Sequence, residues 1–216
     1  MRTAGIRVFL AILTALVAWA ALAMQLGLII GKMTADGATW VQAVWRFLGF
    51  FTILTNIAVA VVASAMAIRP SGRLAGARVR MAAAAAIIFV GIVYSVALRS
   101  IWRPEGWQAV VDHALHDATP LLFCAVWLRF EHGSLRWRDA VYAMAAPLLY
   151  CVYALLRGAV DGWHAYWFLD PKALSVAELT ANIALLAGAF IVIAFVLIAL
   201  DRWLARKDST IADTRR

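Results

Sequence analysis

The chain has 216 residues, 65% of them hydrophobic and 15% charged, with a mean hydropathy of +0.84. Soluble domains average roughly half apolar residues, so this composition excludes a soluble globule and points to an all-α polytopic bundle inside a bilayer. The formal net charge of +8 does not imply nucleic acid, because the basic residues lie in the short segments between apolar runs, where they set topology.

Crossing a hydrocarbon core of about 30 Å takes around 20 apolar residues, and the sequence offers runs of about this length at 6–30, 47–68, 81–98, 107–128, 140–156 and 176–200. The first follows Arg2 and Arg7 and contains Ala18-Trp19-Ala20 and Ala21-Leu22-Ala23, which resemble signal-peptide cleavage sites. It continues through Leu26, Leu28, Ile29 and Ile30, beyond a signal's apolar core of about 7 to 15 residues, so an uncleaved first span is expected. The fourth run carries Asp and His, and the fifth is short and contains Pro147; both are kept as spans because polar groups are expected inside a functional bundle. Residues 1–200 therefore read as one six-helix transmembrane domain, and 201–216 as a polar, disordered cytoplasmic tail. Cys124 and Cys151 lie within apolar runs without metal-ligand spacing, so neither a disulfide framework, a metal nor a cofactor is called for.

Positive charge resists translocation, so Lys and Arg counted in alternate segments give the orientation. Arg2, Arg7, Arg69, Arg73, Arg78, Arg80, Arg129, Arg136, Arg138, Arg202, Arg206, Lys207, Arg215 and Arg216 make fourteen on one side. Lys32, Arg46, Arg99, Arg103, Arg157 and Lys172 make six on the other. Both termini are thus expected in the cytoplasm of a multi-pass cell-membrane protein. Arginine outnumbers lysine seventeen to three and alanine is abundant, which suggests a GC-rich bacterial genome and hence the inner membrane. Trp40, Trp45, Trp102, Trp107, Trp163, Tyr166 and Trp167 gather at the outer face as an interfacial belt.

The fourth span contains Asp112-His113-Ala114-Leu115-His116-Asp117. Intramembrane ionisable groups are costly, which makes this cluster the first functional candidate. Helical spacing pairs Asp112 with His116 and His113 with Asp117, so a carboxylate can orient either imidazole. Pro120 has no N–H, and in an α-helix the orphaned carbonyl is that of His116, with a kink expected there. On the second span Thr52 and Asn56 share a face. Thr52 lies five residues below Phe47 and His116 six below Val110, about 8 to 9 Å each at 1.5 Å per residue, so the two reach a common level near the outer leaflet.

A hydroxyl and an imidazole at one depth supply a nucleophile and a general base for acyl transfer. The expected chemistry is hydrolysis of an ester that enters laterally from the membrane, with Thr52 and His116 catalytic. Asp112 would hold the histidine tautomer, Asn56 would donate to an oxyanion, and His113 and Asp117 would support.

The run Phe51-Thr52-Ile53-Leu54-Thr55-Asn56, the cluster Asp112-His113-x-x-His116 with Pro120, and Tyr166-Trp167-Phe168-Leu169-Asp170 occur in this order. Together they resemble the bacterial six-transmembrane branch related to the androgen-induced-gene membrane hydrolases. That resemblance spans most of the chain and implies an intramembrane threonine and histidine pair, matched here by Thr52 and His116. In the eukaryotic branch it implies hydrolysis of fatty acid esters of hydroxy fatty acids. This chain has Asp112 and Asp117 where that branch has Asn and Thr.

A second class is a transporter or proton- or cation-binding subunit using Asp112, His116 and Asp117. The cytoplasmic halves of the spans are almost purely aliphatic, which counts against a conducting path. A haem or metal reading fails on ligands, since His113 and His116 share one helix and His132 and His164 lie in loops on opposite sides. A scaffold is the fourth reading.

Overall fold

The computed structural model describes residues 2–213, with side chains from 5 to 207; Met1, Arg215 and Arg216, and the side chain of Arg2, lie outside the described residues. Every regular element among the described residues is helical. Helices α1 (Arg2–Ala35), α2 (Trp40–Phe47), α3 (Phe51–Ile68) and α4 (Ala77–Val93) are followed by a π turn at Tyr94–Leu98. Next come α5 (Gly106–His113), a second π turn at Ala114–Ala118, α6 (Thr119–Trp127), α7 (Ala140–Asp161) and α8 (Val176–Asp213). Among the described residues, Gly5–Ala35, Phe51–Ile68, Ala77–Leu98, Trp137–Asp161 and Val176–Lys207 are five helices long and apolar enough to cross a membrane. They make this an apolar helical bundle suited to a membrane.

Three boundaries depart from the sequence reading. The run at 47–68 is broken: α2 has its own capping box, with Thr39 accepting from the Gln42 N–H and Gln42 reaching back to the Thr39 N–H. Phe50 is extended, at φ −93° and ψ 132°, and α3 starts only at Phe51. Trp45, Arg46 and Phe47 therefore belong to a separate short helix. The run at 107–128 is an α–π–α succession in place of one regular helix. The segment after Asp201, expected to be a disordered tail, continues α8 to Asp213, because a polar sequence without Gly or Pro can extend a helix that an apolar segment nucleates.

At the centre α4 packs against α3, α6, α7 and α8. Ala83, Ala84, Ala85 and Ala86 are buried, and such small side chains let neighbouring helices come close. Rings fill the wider levels, with Phe51 and Phe89 6.0 Å apart, Phe89 and Phe190 5.3 Å, and Phe51 and Tyr150 4.9 Å. On the other side α1 lays Ala11, Ala15, Ala18 and Leu22 against its neighbours α3 and α6.

The segments rich in arginine meet at one end. Arg7 pairs with Glu131, and Arg80 donates to the carbonyls of Ala75 (2.5 Å) and Glu131 (2.8 Å). Arg78 bonds the buried Asp139 at 2.9 Å, while Asp201 of α8 contacts His132 at 3.2 Å and accepts from the Leu135 N–H at 3.1 Å. Four stretches far apart in sequence are thereby tied into one polar cap.

Candidate functional site

Thr52 is the second residue of α3 and is 8% exposed. Phe50 supplies no side-chain cap, so the first N–H groups of this buried helix seek partners elsewhere. The Thr52 N–H lies 3.4 Å from the Tyr166 hydroxyl oxygen, which is also 3.5 Å from Thr52 Oγ1. Burial pushes the Tyr166 phenol above its ordinary value, so it stays protonated and able to donate. Tyr166 is therefore part of the site and not of the interfacial belt.

The linker before α3 is held from α7. Tyr150 Oη donates to the Gly49 carbonyl at 2.9 Å, Tyr153 Oη to the Leu48 carbonyl at 3.2 Å, and Arg157 Nη1 to Tyr153 Oη at 3.2 Å. Spacings of three and four residues place these three side chains on one face. A Cβ on Gly49 would stand 2.5 Å from Arg157 Nη1 and 2.6 Å from the Trp163 ring, which is why glycine sits there.

Thr52 opens into a narrow cleft of about 70 Å³. Phe89, Tyr94, Pro147, Cys151, Tyr166 and Leu186 are among its walls, so it is apolar apart from a few hydroxyls and a thiol. A second apolar groove of about 380 Å³, between α3, α4 and α7, shares Phe51 and Tyr150 with it.

His116 stands behind one wall. Its Nδ1 lies 3.0 Å from the Asp112 carbonyl oxygen and 3.4 Å from Asp112 Oδ1, two acceptors that select the tautomer with the hydrogen on Nδ1 and the lone pair on Nε2. The ring stacks on Tyr94 with centroids 3.8 Å apart and planes 14° from parallel. Tyr94 Oη donates to Asp112 Oδ2. Tyr94 thus both lines the cleft and stacks on His116, and among the described residues no hydrogen bond joins Thr52 to His116.

The two π turns explain how these groups meet. Tyr94 and Arg99 are five residues apart, as are Asp112 and Asp117, and the contacts run Tyr94 to Asp112 and Arg99 to Asp117. The i→i+5 register, seen in the Arg99 N–H to Tyr94 carbonyl bond (2.8 Å) and the Thr119 N–H to Ala114 carbonyl bond, aligns both pairs. Single π turns of this kind are frequent at functional sites. The same register moves the bond that Pro120 cannot make from the His116 carbonyl to that of Leu115. Asn56 repairs it: its Nδ2 donates to Leu115 O at 3.3 Å and to Thr52 O at 2.8 Å. Both amide hydrogens have acceptors, so Asn56 ties α3 to the π turn. It also sets the levels, since Asn56 faces Leu115 and Thr52 lies one turn further out, roughly 5 to 6 Å.

His113 and Asp117 face away from the cleft. Their 2.7 Å contact is extended by Arg99, which pairs with Asp117, and the His113 side chain is 68% exposed. Sequence reasoning missed Tyr94. Its signal is modest: a lone phenol in an otherwise apolar run, which when buried needs a partner for its hydroxyl.

Set against protein-family models, curated proteins and solved structures, the chain gives no match to any of the three.

Proposed function

We propose that this chain is a six-span membrane hydrolase, akin to the androgen-induced-gene hydrolases, that cleaves a lipid ester with Thr52 as nucleophile and His116 as general base. The observation that carries this reading is Tyr94, which shares the apolar cleft with Thr52 and stacks on an imidazole oriented by Asp112.

In this reading α5, its π turn and α6 form the fourth crossing; α6 packs against α1 and α4 among the long helices. The arginine-rich cap faces the cytoplasm of a bacterial inner membrane with both termini, and the Thr52 end faces the outer leaflet. A reporter active only in the cytoplasm, fused after Lys207, tests the orientation; silence there refutes it.

The two apolar grooves on either side of Phe51 and Tyr150 take hydrocarbon chains and bring the ester carbonyl to the head of α3. Thr52 Oγ1 attacks as its proton passes to His116 Nε2, once the Tyr94 ring swings off the imidazole. The N-terminal N–H groups of α3 and the Tyr166 hydroxyl face the developing oxyanion. Collapse breaks the C–O bond, His116 returns the proton to the departing alcohol, and water then hydrolyses the acyl-threonine by the same base. Pairing of Asp112 with Tyr94 and His116, and of Asp117 with Arg99 and His113, favours a positioned base over an open cation path.

Detergent-solubilised protein should be labelled by a fluorophosphonate probe, and the labelling lost in Thr52→Ala and in His116→Ala. Labelling that survives both changes removes the proposed site.

A further inference from the structure

We propose that Arg99 is a positioning residue for the base: anchored by Asp117, it holds the Tyr94 ring on His116 and so sets how far the imidazole is open to the cleft. This rests on the hydrolase reading above and names a control on its site.

Arg99 follows directly on the π turn Tyr94–Leu98. Its N–H bonds the Tyr94 carbonyl at 2.8 Å, closing an i→i+5 turn. On a regular helix residues five apart diverge, and this wider turn brings the guanidinium over the phenol, 5.0 Å from the ring centroid. That lies inside the range of cation–π attraction, which extends to about 6 Å. The side chain does not stay there unaided, because it is 43% exposed and a free arginine spreads over many rotamers. Asp117 fixes it, accepting from Arg99 Nη2 through Oδ1. Asp117 is itself held, since Oδ2 lies 2.7 Å from Nδ1 of His113, one turn back.

The contacts form two linked sets. In the inner one, Tyr94 Oη donates to Asp112, Asp112 Oδ1 lies 3.4 Å from His116 Nδ1, and the imidazole returns to stack on Tyr94. The outer one is Arg99, Asp117 and His113. Side-chain exposure falls from 68% at His113 through 43% at Arg99 and 34% at Asp117 to 12% at His116 and 6% at Asp112. Solvent and ions therefore reach the outer set, while the inner set is shielded from them. Arg99 joins the two through its contact with the Tyr94 ring. Without that contact the ring keeps only its bond to Asp112 and the stack on His116, and the stack is what opens for Nε2 to receive a proton. An ion pair as exposed as Arg99 with Asp117 is screened by salt, so ionic strength acts on this grip.

The test is the rate at which diethyl pyrocarbonate carbethoxylates His116 in the detergent-solubilised full chain, read residue by residue by mass spectrometry. His132, whose side chain is 7% exposed in the arginine-rich cap at the other end, is the internal standard. Relative to His132, His116 should react about fivefold faster in Arg99→Gln than in wild type, the scale of one cation–π contact near a surface. Arg99→Lys, which keeps the charge, should restore part of the protection, and Asp117→Asn should lose part of it. Raising sodium chloride to about 1 M, where the Debye length is about 3 Å, should speed His116 in wild type and leave Arg99→Gln unmoved. A His116 rate in Arg99→Gln within about twofold of wild type overturns the proposal. So does a wild-type rate that ignores salt, a comparison that needs no substitution and cannot be obscured by misfolding. If His132 accelerates alongside His116 in Arg99→Gln, the arginine is a general stabiliser and the proposal also falls. Carbethoxylation involves no Thr52 chemistry, so its outcome is separate from any loss of fluorophosphonate labelling.

Discussion

Asn56 and Pro120 offer the sharpest test of the π register, because they are predicted to be energetically coupled although neither touches the other. Pro120 has no N–H for the Leu115 carbonyl, and Asn56 Nδ2 fills the vacancy at 3.3 Å. In Asn56→Ala that carbonyl is left buried and unpaired, which costs about 1–3 kcal/mol in soluble proteins, whereas hydrogen bonds between membrane helices average about 0.6 kcal/mol and reach about 1.7. In a Pro120→Ala background the residue 120 N–H bonds Leu115 directly, so the same Asn56→Ala change should cost about 1 kcal/mol less. The cavity left by the amide and the relief of its unpartnered Oδ1 enter both arms and cancel. Reversible unfolding of the four proteins in mixed micelles measures the coupling as a double-mutant cycle. Effects that add within about 0.5 kcal/mol would refute the assignment of the orphaned carbonyl to Leu115.

Three further outcomes follow from local geometry. Gly133→Ala places a side chain at φ +94° with its Cβ 2.6 Å from that of Ala205; the strain and overpacking together should cost about 2 kcal/mol or more, read as a lower melting temperature. Burial pushes the Glu131 carboxyl up, but its backbone hydrogen bond and the paired Arg7 outweigh that and hold it below the ordinary value of 4.5. The contribution is full above 4.5 and is lost as pH falls from there through the lower folded value, so over that window wild type should lose more melting temperature than Glu131→Gln, which keeps the losses from the other carboxylates. Cys151 lines the cleft with Thr52, so in a Cys124→Ser background maleimide treatment should slow fluorophosphonate labelling at least tenfold, while Cys151→Ala should be insensitive; equal rates would separate the thiol from the reacting hydroxyl.

How much of this was legible in the sequence depends on the range of the forces involved. Apolar run length is a local property, and five of the expected runs overlap helices long enough to cross a membrane. The break before α3 is not local. Nothing near Gly49 announces it, since the Arg157 and Trp163 groups that crowd that glycine come from more than a hundred residues away. Likewise a 3.6-residue period correctly pairs Asp112 with His116 and His113 with Asp117, but it assigns the proline's missing bond to the wrong carbonyl. Pattern reading assumes the register, and here the register itself changes. The continued helix after Asp201 shows the complementary error: hydropathy reports what can lie in a membrane, not where hydrogen bonding ends.

The same two departures place the candidate site. Without the break at Phe50, Thr52 would sit inside a continuous helix, its N–H bonded one turn back and its carbonyl neighbours saturated. With the break it lies in a first turn, where an unspent N–H meets the Tyr166 hydroxyl. Without the π turns Tyr94 and Asp112, and Arg99 and Asp117, would not align together, because residues five apart diverge on a regular helix. The weakest run by hydropathy, 107–128, is therefore where polar groups, a proline and an altered register reinforce one another: the cluster that lowers its apolarity is held by the π turn, and the carbonyl the proline leaves open is the anchor for the threonine's own helix.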